Sequence, residues 1–287
     1  MITQVMGVLF DGLAYGMLLF LLSVGLSVTL GLMNFINLAH GSFAMLGGYV
    51  TFSLMSYANW PFLATLPLAF IVTALVSVAI ERTLFRRLYG AGELNQVLFT
   101  IGLVFVAAAA AAYVFGTVQQ PIEVPDYLRG SMEISGLAFG TYRLFLIVVA
   151  LIITVLLVAG LEMTRFGAQV RAAVDNQRVA KGLGINVDGV FAITFALGSG
   201  LAGLGGALAI EIVGLDPSFG FQYLVYVLIV VSVGGLGSIG GSFAAAALLG
   251  ISDVAGKYYV PEIGAFLLYA LMVGLLLYRP LGLFGRR

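Results

Sequence analysis

The sequence predicts an all-α, polytopic bundle of transmembrane helices with about eight or nine crossings, at ~20 apolar residues per crossing, several of them broken or re-entrant. Three observations carry that expectation. Of the 287 residues, 61% are hydrophobic and only 9% are charged, against roughly 25% charged in a soluble domain. The apolar residues form long runs. Polar or glycine clusters interrupt those runs about once per bilayer crossing. Residues 1–287 read as a single transmembrane domain.

The runs place crossings near 7–31, 41–58, 62–81, 95–115, 143–162, 190–213, 221–233, 242–256 and 262–278. No Lys or Arg precedes Arg82, so the first run lacks the basic flank of a cleavable signal peptide and is expected to stay in the protein. The second follows the polar string Asn34-Phe35-Ile36-Asn37-Leu38-Ala39-His40. The third runs into the basic turn of Arg82, Arg86 and Arg87, past which the fourth begins. A polar loop with Glu123, Asp126, Arg129 and Glu133 leads to the fifth, and the hydrophilic stretch from Arg165 to Asn186 separates the fifth from the sixth. The seventh is short and stops at Gly234, Gly235, Gly237, Gly240 and Gly241, beyond which lie the last two. Unwound backbone survives at membrane depth only inside protein or beside a wet cavity, so both breaks are candidates for a transport path.

Ten of the thirteen basic residues fall on one side of this arrangement: Arg82, Arg86, Arg87, Arg165, Arg171, Arg178, Lys181, Arg279, Arg286 and Arg287. That side is the cytoplasm by the positive-inside rule, which puts the N-terminus outside. Arg129, Arg143 and Lys257 lie opposite, with Glu123, Asp126, Glu133 and Glu262. Helices in lipid approach through small residues, so Gly198, Ala202 and Gly206 are expected to form a groove for a neighbour, as are Gly12, Gly16, Ser23 and Ser27. Gly41-Ser42-Phe43-Ala44 recurs as Gly241-Ser242-Phe243-Ala244, each after a break, which points to a possible internal repeat.

Several classes are excluded. Thirteen basic residues balance thirteen acidic ones, so no polycationic face for nucleic acid exists. With no cysteine and one histidine, His40, there is no disulfide, thiolate zinc site or multi-histidine metal site. Asp11, Glu81, Glu162, Glu211, Asp253 and Glu262 all fall close to predicted helix ends, and none sits clearly at a helix centre as in a proton-coupled carrier. His40 with Ser42 lacks a third orienting group, so no intramembrane protease is built from them. The chain is not expected to be an enzyme. It also lacks a G-x-x-x-x-G-K-[ST] phosphate loop, so any ATP-driven motor must be another polypeptide. The stretch from Arg165 to Asn186 is where such a motor would push. Its alanines and long side chains predict a short helix stopped by Gly182 and Gly184.

Three strings closely resemble the branched-chain amino acid ABC transporter permeases of the LivH type: Asn34 through Phe43, Arg171-Ala172-Ala173 through Gly182-Leu183-Gly184-Ile185-Asn186, and Gly234-Gly235-Leu236-Gly237-Ser238-Ile239-Gly240-Gly241. The resemblance covers nearly the whole chain in motif order. It implies an inner-membrane importer with a second, LivM-like permease, two cytoplasmic ATPases that bind ATP and magnesium, and an extracytoplasmic substrate-binding protein; no cofactor is held by this chain. It also implies a coupling segment at Arg171, Ala172, Ala173, Asp175, Arg178, Lys181, Gly182 and Gly184, related to the EAA loop of ABC importers. Arg171 stands where that wider motif is acidic, so ATPase side-chain pairings do not carry over. The strings around Asn34 and Gly234 map to segments flanking the path.

A zwitterionic amino acid with an aliphatic side chain needs hydrogen bonds at one end and an apolar wall at the other. Asn34, Asn37, His40, Ser42, Ser238 and Ser242 supply the first in this reading. Helix capping is an alternative role for the two asparagines, as is a packed neutral imidazole for His40. Competing functions are a urea or short-amide permease of the same superfamily, an ion-coupled carrier acting alone, and a passive channel.

Overall fold

The computed structural model describes every residue except Met1, Asn34, Ile36, Tyr89, Glu123, Ser135, Gly136, Arg286 and Arg287. Each predicted apolar run is a helix: α1 (Ile2–Met33), α2 (His40–Ala58), α3 (Phe62–Thr83), α4 (Glu93–Phe115) and α5 (Thr141–Glu162). Two short helices follow, α6 (Arg165–Asp175) and α7 (Gln177–Gly182), and then α8 (Val187–Val213), α9 (Phe219–Gly234), α10 (Ile239–Tyr259) and α11 (Gly264–Tyr278). Helices α1, α3, α4, α5, α8 and α10 are long and apolar enough to cross a membrane. Helix α9 has 16 residues and α11 has 15; at about 1.5 Å per residue, each falls short of a hydrocarbon core of about 30 Å.

Three local features differ from the sequence reading. Residues 165–182 form two helices instead of one, because Asn176 ends α6 and its side chain accepts from Val179 N to cap α7. The loop between α4 and α5 holds a small antiparallel hairpin, β1 (Ser131–Ile134) and β2 (Leu137–Gly140). Helix α10 continues to Tyr259, three residues past the expected end, so Asp253 lies inside it.

Helices α1 and α8 form the centre of the bundle and are buried along most of their length. Helix α8 packs against α1, α2 and α3, and α1 also packs along α10. The expected small-residue grooves are the contact surfaces. A Cβ on Gly25 of α1 would run into the Gly198 carbonyl of α8, and a Cβ on Gly206 would run into the Ala44 carbonyl of α2. Gly12 and Gly16 pack on Ile251, Ala246 and Ala247 of α10. Apolar burial drives little association in lipid, so this backbone-to-backbone approach, with its dispersion contacts, supplies the packing. Helices α4 and α5 are peripheral, each burying one narrow face.

The charged residues sort to the two ends. Asp188 at the start of α8 pairs with Arg86 and, at 3.4 Å, with Lys181, which brings the turn after α3 beside α7. The tail after α11 returns to α9, Leu283 N donating to Val233 O at 2.7 Å. Gly237 packs on Gly31 near the end of α1. At the opposite end Arg143 pairs with Asp11, and Phe10 packs on Phe139 of the hairpin at 4.7 Å.

Candidate translocation path and coupling surface

The polar string after α1 turns back into the bundle. His40 Nε2 donates to the Leu22 carbonyl at 3.1 Å, a point about 16 Å along α1 from its end at 1.5 Å per residue. A carbonyl only accepts, so the ring carries its proton on Nε2, and the fully buried Nδ1 has no hydrogen-bond partner. Gly25 makes room for the imidazole, as a Cβ there would come within 3.0 Å of His40 Cε1. Asn37 Oδ1 accepts from Ala39 N at 3.1 Å and shapes the turn into α2, leaving its buried Nδ2 unpartnered. Ser42 Oγ is likewise buried and unpartnered. Asn34 lies outside the described residues.

A second break meets the first. Helix α9 begins at Phe219, and its Gly220 packs directly on Gly41 and Ser42: a Cβ at Gly41 would run into the Gly220 carbonyl. Thus α2 and α9 both start deep in the bundle, with their first turns in contact. The sequence reading located the break in this half at Gly234 to Gly241. That turn lies beside Gly31 and the 281–285 tail, near the basic end. Its two serines have local partners: Ser238 Oγ caps α10 by accepting from Gly241 N at 3.0 Å, and Ser242 Oγ donates to Ser27 Oγ of α1 at 2.9 Å. Asn37, His40 and Ser42 thus share the first break, and Ser238 and Ser242 belong to the turn that opens α10.

Next to the first break, a cavity of about 280 Å³ lies between α2, α3 and α4. Its wall is aliphatic and aromatic, and the buried hydroxyls of Ser42 and Tyr49, on that wall, lack partners. Elsewhere in the bundle, Thr51 of α2, Thr73 of α3 and Thr194 and Ser199 of α8 also carry buried, unpartnered hydroxyls. The sequence reading missed this set. For Thr73 alone the signal was a row on α3, Thr65, Ala69, Thr73, Ser77 and Glu81, one residue every four along one buried face of an otherwise apolar helix.

At the basic end, α6 and α7 form a ledge under α8. Val170, Ala173 and Ala180 are buried against Val187, Val190 and Phe191, so Ala173 faces the bundle. Gly167 lies against the Leu161 backbone, where a Cβ would not fit, and Arg171 Nη1 donates to the Leu161 carbonyl. Lys181 is paired with Asp188. Gly184 takes a φ of +82° and turns the chain into α8. The outward face carries Ala172, Asp175, Arg178 and Gly182 together with three apolar side chains, Val174, Val179 and Leu183.

A helical bundle with broken helices meeting at depth, unpartnered hydroxyls inside and an amphipathic ledge at its basic end has the build of a polytopic membrane permease. The chain belongs to the family described as branched-chain amino acid transport system / permease component, whose model matches residues 8–276. It is 27% identical to the high-affinity branched-chain amino acid transport system permease protein BraD of Pseudomonas aeruginosa, covering 97% of this chain and 95% of that protein. Identity to the corresponding LivH of Escherichia coli is 25%, over 97% and 94%. The LivM permease of Salmonella typhimurium is 26% identical over 93% of this chain and 68% of its own length. No solved structure matches. The chain is thus a multi-pass membrane protein and a permease component of a transport system, carried in bacteria in the inner membrane.

Proposed function

We propose that this chain is one permease half of an ATP-driven importer for branched-chain amino acids. The carrying observation is the α6–α7 ledge: a short amphipathic unit at the basic end, with Val174, Val179 and Leu183 exposed, in a chain that has no nucleotide-binding loop of its own. Exposed apolar side chains beside mixed charge suit docking onto a cytoplasmic ATPase. The likeness to LivM as well as to LivH-type relatives supports a partner permease built on the same plan, giving two ledges for two ATPases. An extracytoplasmic binding protein delivers the substrate. Asn37, His40 and Ser42 then provide the polar contacts on the path, and the aliphatic wall beside Ser42 and Tyr49 accepts the side chain.

The test is affinity purification of the chain from native membranes, followed by reconstitution of whatever travels with it. The expected result is co-purification of ATP-binding subunits and a second permease, with leucine, isoleucine or valine uptake that requires ATP and the binding protein. Uptake by the purified chain alone on a sodium or proton gradient overturns the ATP reading. A binding protein that takes urea and no amino acid overturns the substrate.

A further inference from the structure

Toward the end of the bundle opposite the ledge, α10 holds a buried carboxylate. Asp253 is 3% exposed at its side chain and accepts from Lys257 Nζ at 2.6 Å, one turn along the same helix. Lys257 itself is 51% exposed. The same Nζ stands 5.9 Å from the centre of the Tyr15 ring of α1. Tyr15 thus flanks the ion pair, and Tyr223 and Tyr226 stand on α9, which packs against both α1 and α10. Tyr223 and Tyr226 rings are 5.9 Å apart. A fixed anion among aromatic rings is the environment that stabilises an ammonium ion, by charge and by cation–π attraction together.

The two partners differ in freedom. Asp253 is fixed inside the bundle, whereas Lys257 reaches it from the rim on a long, half-exposed stem and returns to water at little cost. A same-helix counter-ion is enough to neutralise a buried carboxylate and does not by itself account for the Tyr15 ring of α1 beside the pair. The group that Lys257 presents, a primary ammonium with three donors, is also the α-ammonium of an amino acid. Through Tyr223, whose ring lies 4.6 Å from that of Phe219, the cluster adjoins the first turn of α9, where α9 meets Gly41 and Ser42.

We infer that Asp253, with the rings of Tyr15, Tyr223 and Tyr226, is a binding site for the primary ammonium of a small amino acid, and that Lys257 occupies it as an exchangeable stand-in. The inference rests on the amino-acid reading above. When substrate arrives, its ammonium takes the place of Nζ beside Asp253, and the released Lys257, half-exposed at the rim, returns to water. Lys257 therefore competes with substrate for Asp253.

The test measures weak leucine binding to the full-length chain in lipid nanodiscs by saturation-transfer NMR, with 4-methylpentanoate, which lacks the ammonium, as the paired probe. The native chain is expected to bind leucine and to discriminate against 4-methylpentanoate. Asp253→Asn weakens leucine binding by about tenfold or more, the loss of a charge-assisted hydrogen bond, and removes the discrimination. Lys257→Gln keeps a donor for Asp253 while removing the competing ammonium, so it tightens leucine binding. A purely structural ion pair predicts the opposite sign for Lys257→Gln, and that result overturns the proposal. So does an unchanged affinity in Asp253→Asn, equal binding of the two probes, or no leucine signal on the native chain. If Lys257→Gln does not fold, leucine-dependent acceleration of Lys257 acylation in the native chain decides the same point, and its absence overturns the exchange. The ATP-driven uptake assay above fails or succeeds separately from each of these readouts.

Discussion

The double variant Val179→Gln, Leu183→Gln probes the ledge as a docking surface. Both side chains point away from the bundle: Val179 is 56% exposed and Leu183 76%. Full burial of such side chains yields about 1.5–3 kcal/mol each. Scaled by those exposures, docking that covered both would draw about 2–4 kcal/mol from them. At about 1.4 kcal/mol per decade, the expected cost is a roughly 30- to 700-fold loss of affinity for the ATPase subunits. Glutamine is a good helix former and neither position supports the bundle, so the chain's own melting midpoint in detergent stays the same. The assay is titration of purified ATPase subunits onto the nanodisc-embedded permease pair, read by binding and by stimulated hydrolysis. Undiminished affinity in the double variant refutes docking through this face, and a lowered melting midpoint refutes the assignment of these residues as non-supporting.

Single substitutions elsewhere have outcomes set by the same geometry. Ala173→Pro removes a helical hydrogen bond in an 11-residue helix whose Ala173 faces α8; at about 3 kcal/mol it abolishes ATPase co-purification while membrane insertion, read by fractionation, is kept. His40→Ala loses the bond to the Leu22 carbonyl and opens a buried void, for about 2–4 kcal/mol of stability measured by thermal unfolding in detergent. Gly206→Ala forces a methyl onto the Ala44 backbone and costs about 1–3 kcal/mol, whereas Gly240→Ala, which meets nothing within 4 Å, is neutral or gains up to about 1 kcal/mol in the same unfolding assay. Ser242→Ala strips the Ser27 hydroxyl of its partner between α1 and α10 and lowers stability by about 1–3 kcal/mol.

The helices were legible because membrane helices are written in composition: each apolar run from 7–31 to 262–278 overlaps a helix. The polar string before Gly41 was legible as a break for the same reason. What escaped was set by contacts between distant segments. Nothing near Gly220 announces a junction, since its role comes from Gly41 lying against it. Asp253 read as a helix-end residue because the apolar run was expected to stop at 256, yet α10 continues to Tyr259 and buries the carboxylate. In the coupling stretch the residue types predicted helix, but not the cap at Asn176 or the inward face of Ala173, both of which follow from docking on α8. Ser238 and Ser242 have contacts that their glycine-rich string did not announce: the first caps α10 and the second bonds to Ser27 of α1.

Because the chain contains no cysteine, a single Arg178→Cys substitution on the outward face of α7 gives an unambiguous cross-linking handle in intact membranes. With a short thiol-to-amine reagent, docking through the ledge predicts an adduct with an ATP-binding subunit that forms only when the reagent reaches the cytoplasm and is lost when that subunit is absent. Labelling of the introduced thiol by a membrane-impermeant reagent from outside the cell would contradict it, as would a freely reactive thiol with no adduct in an assembly that is transporting substrate.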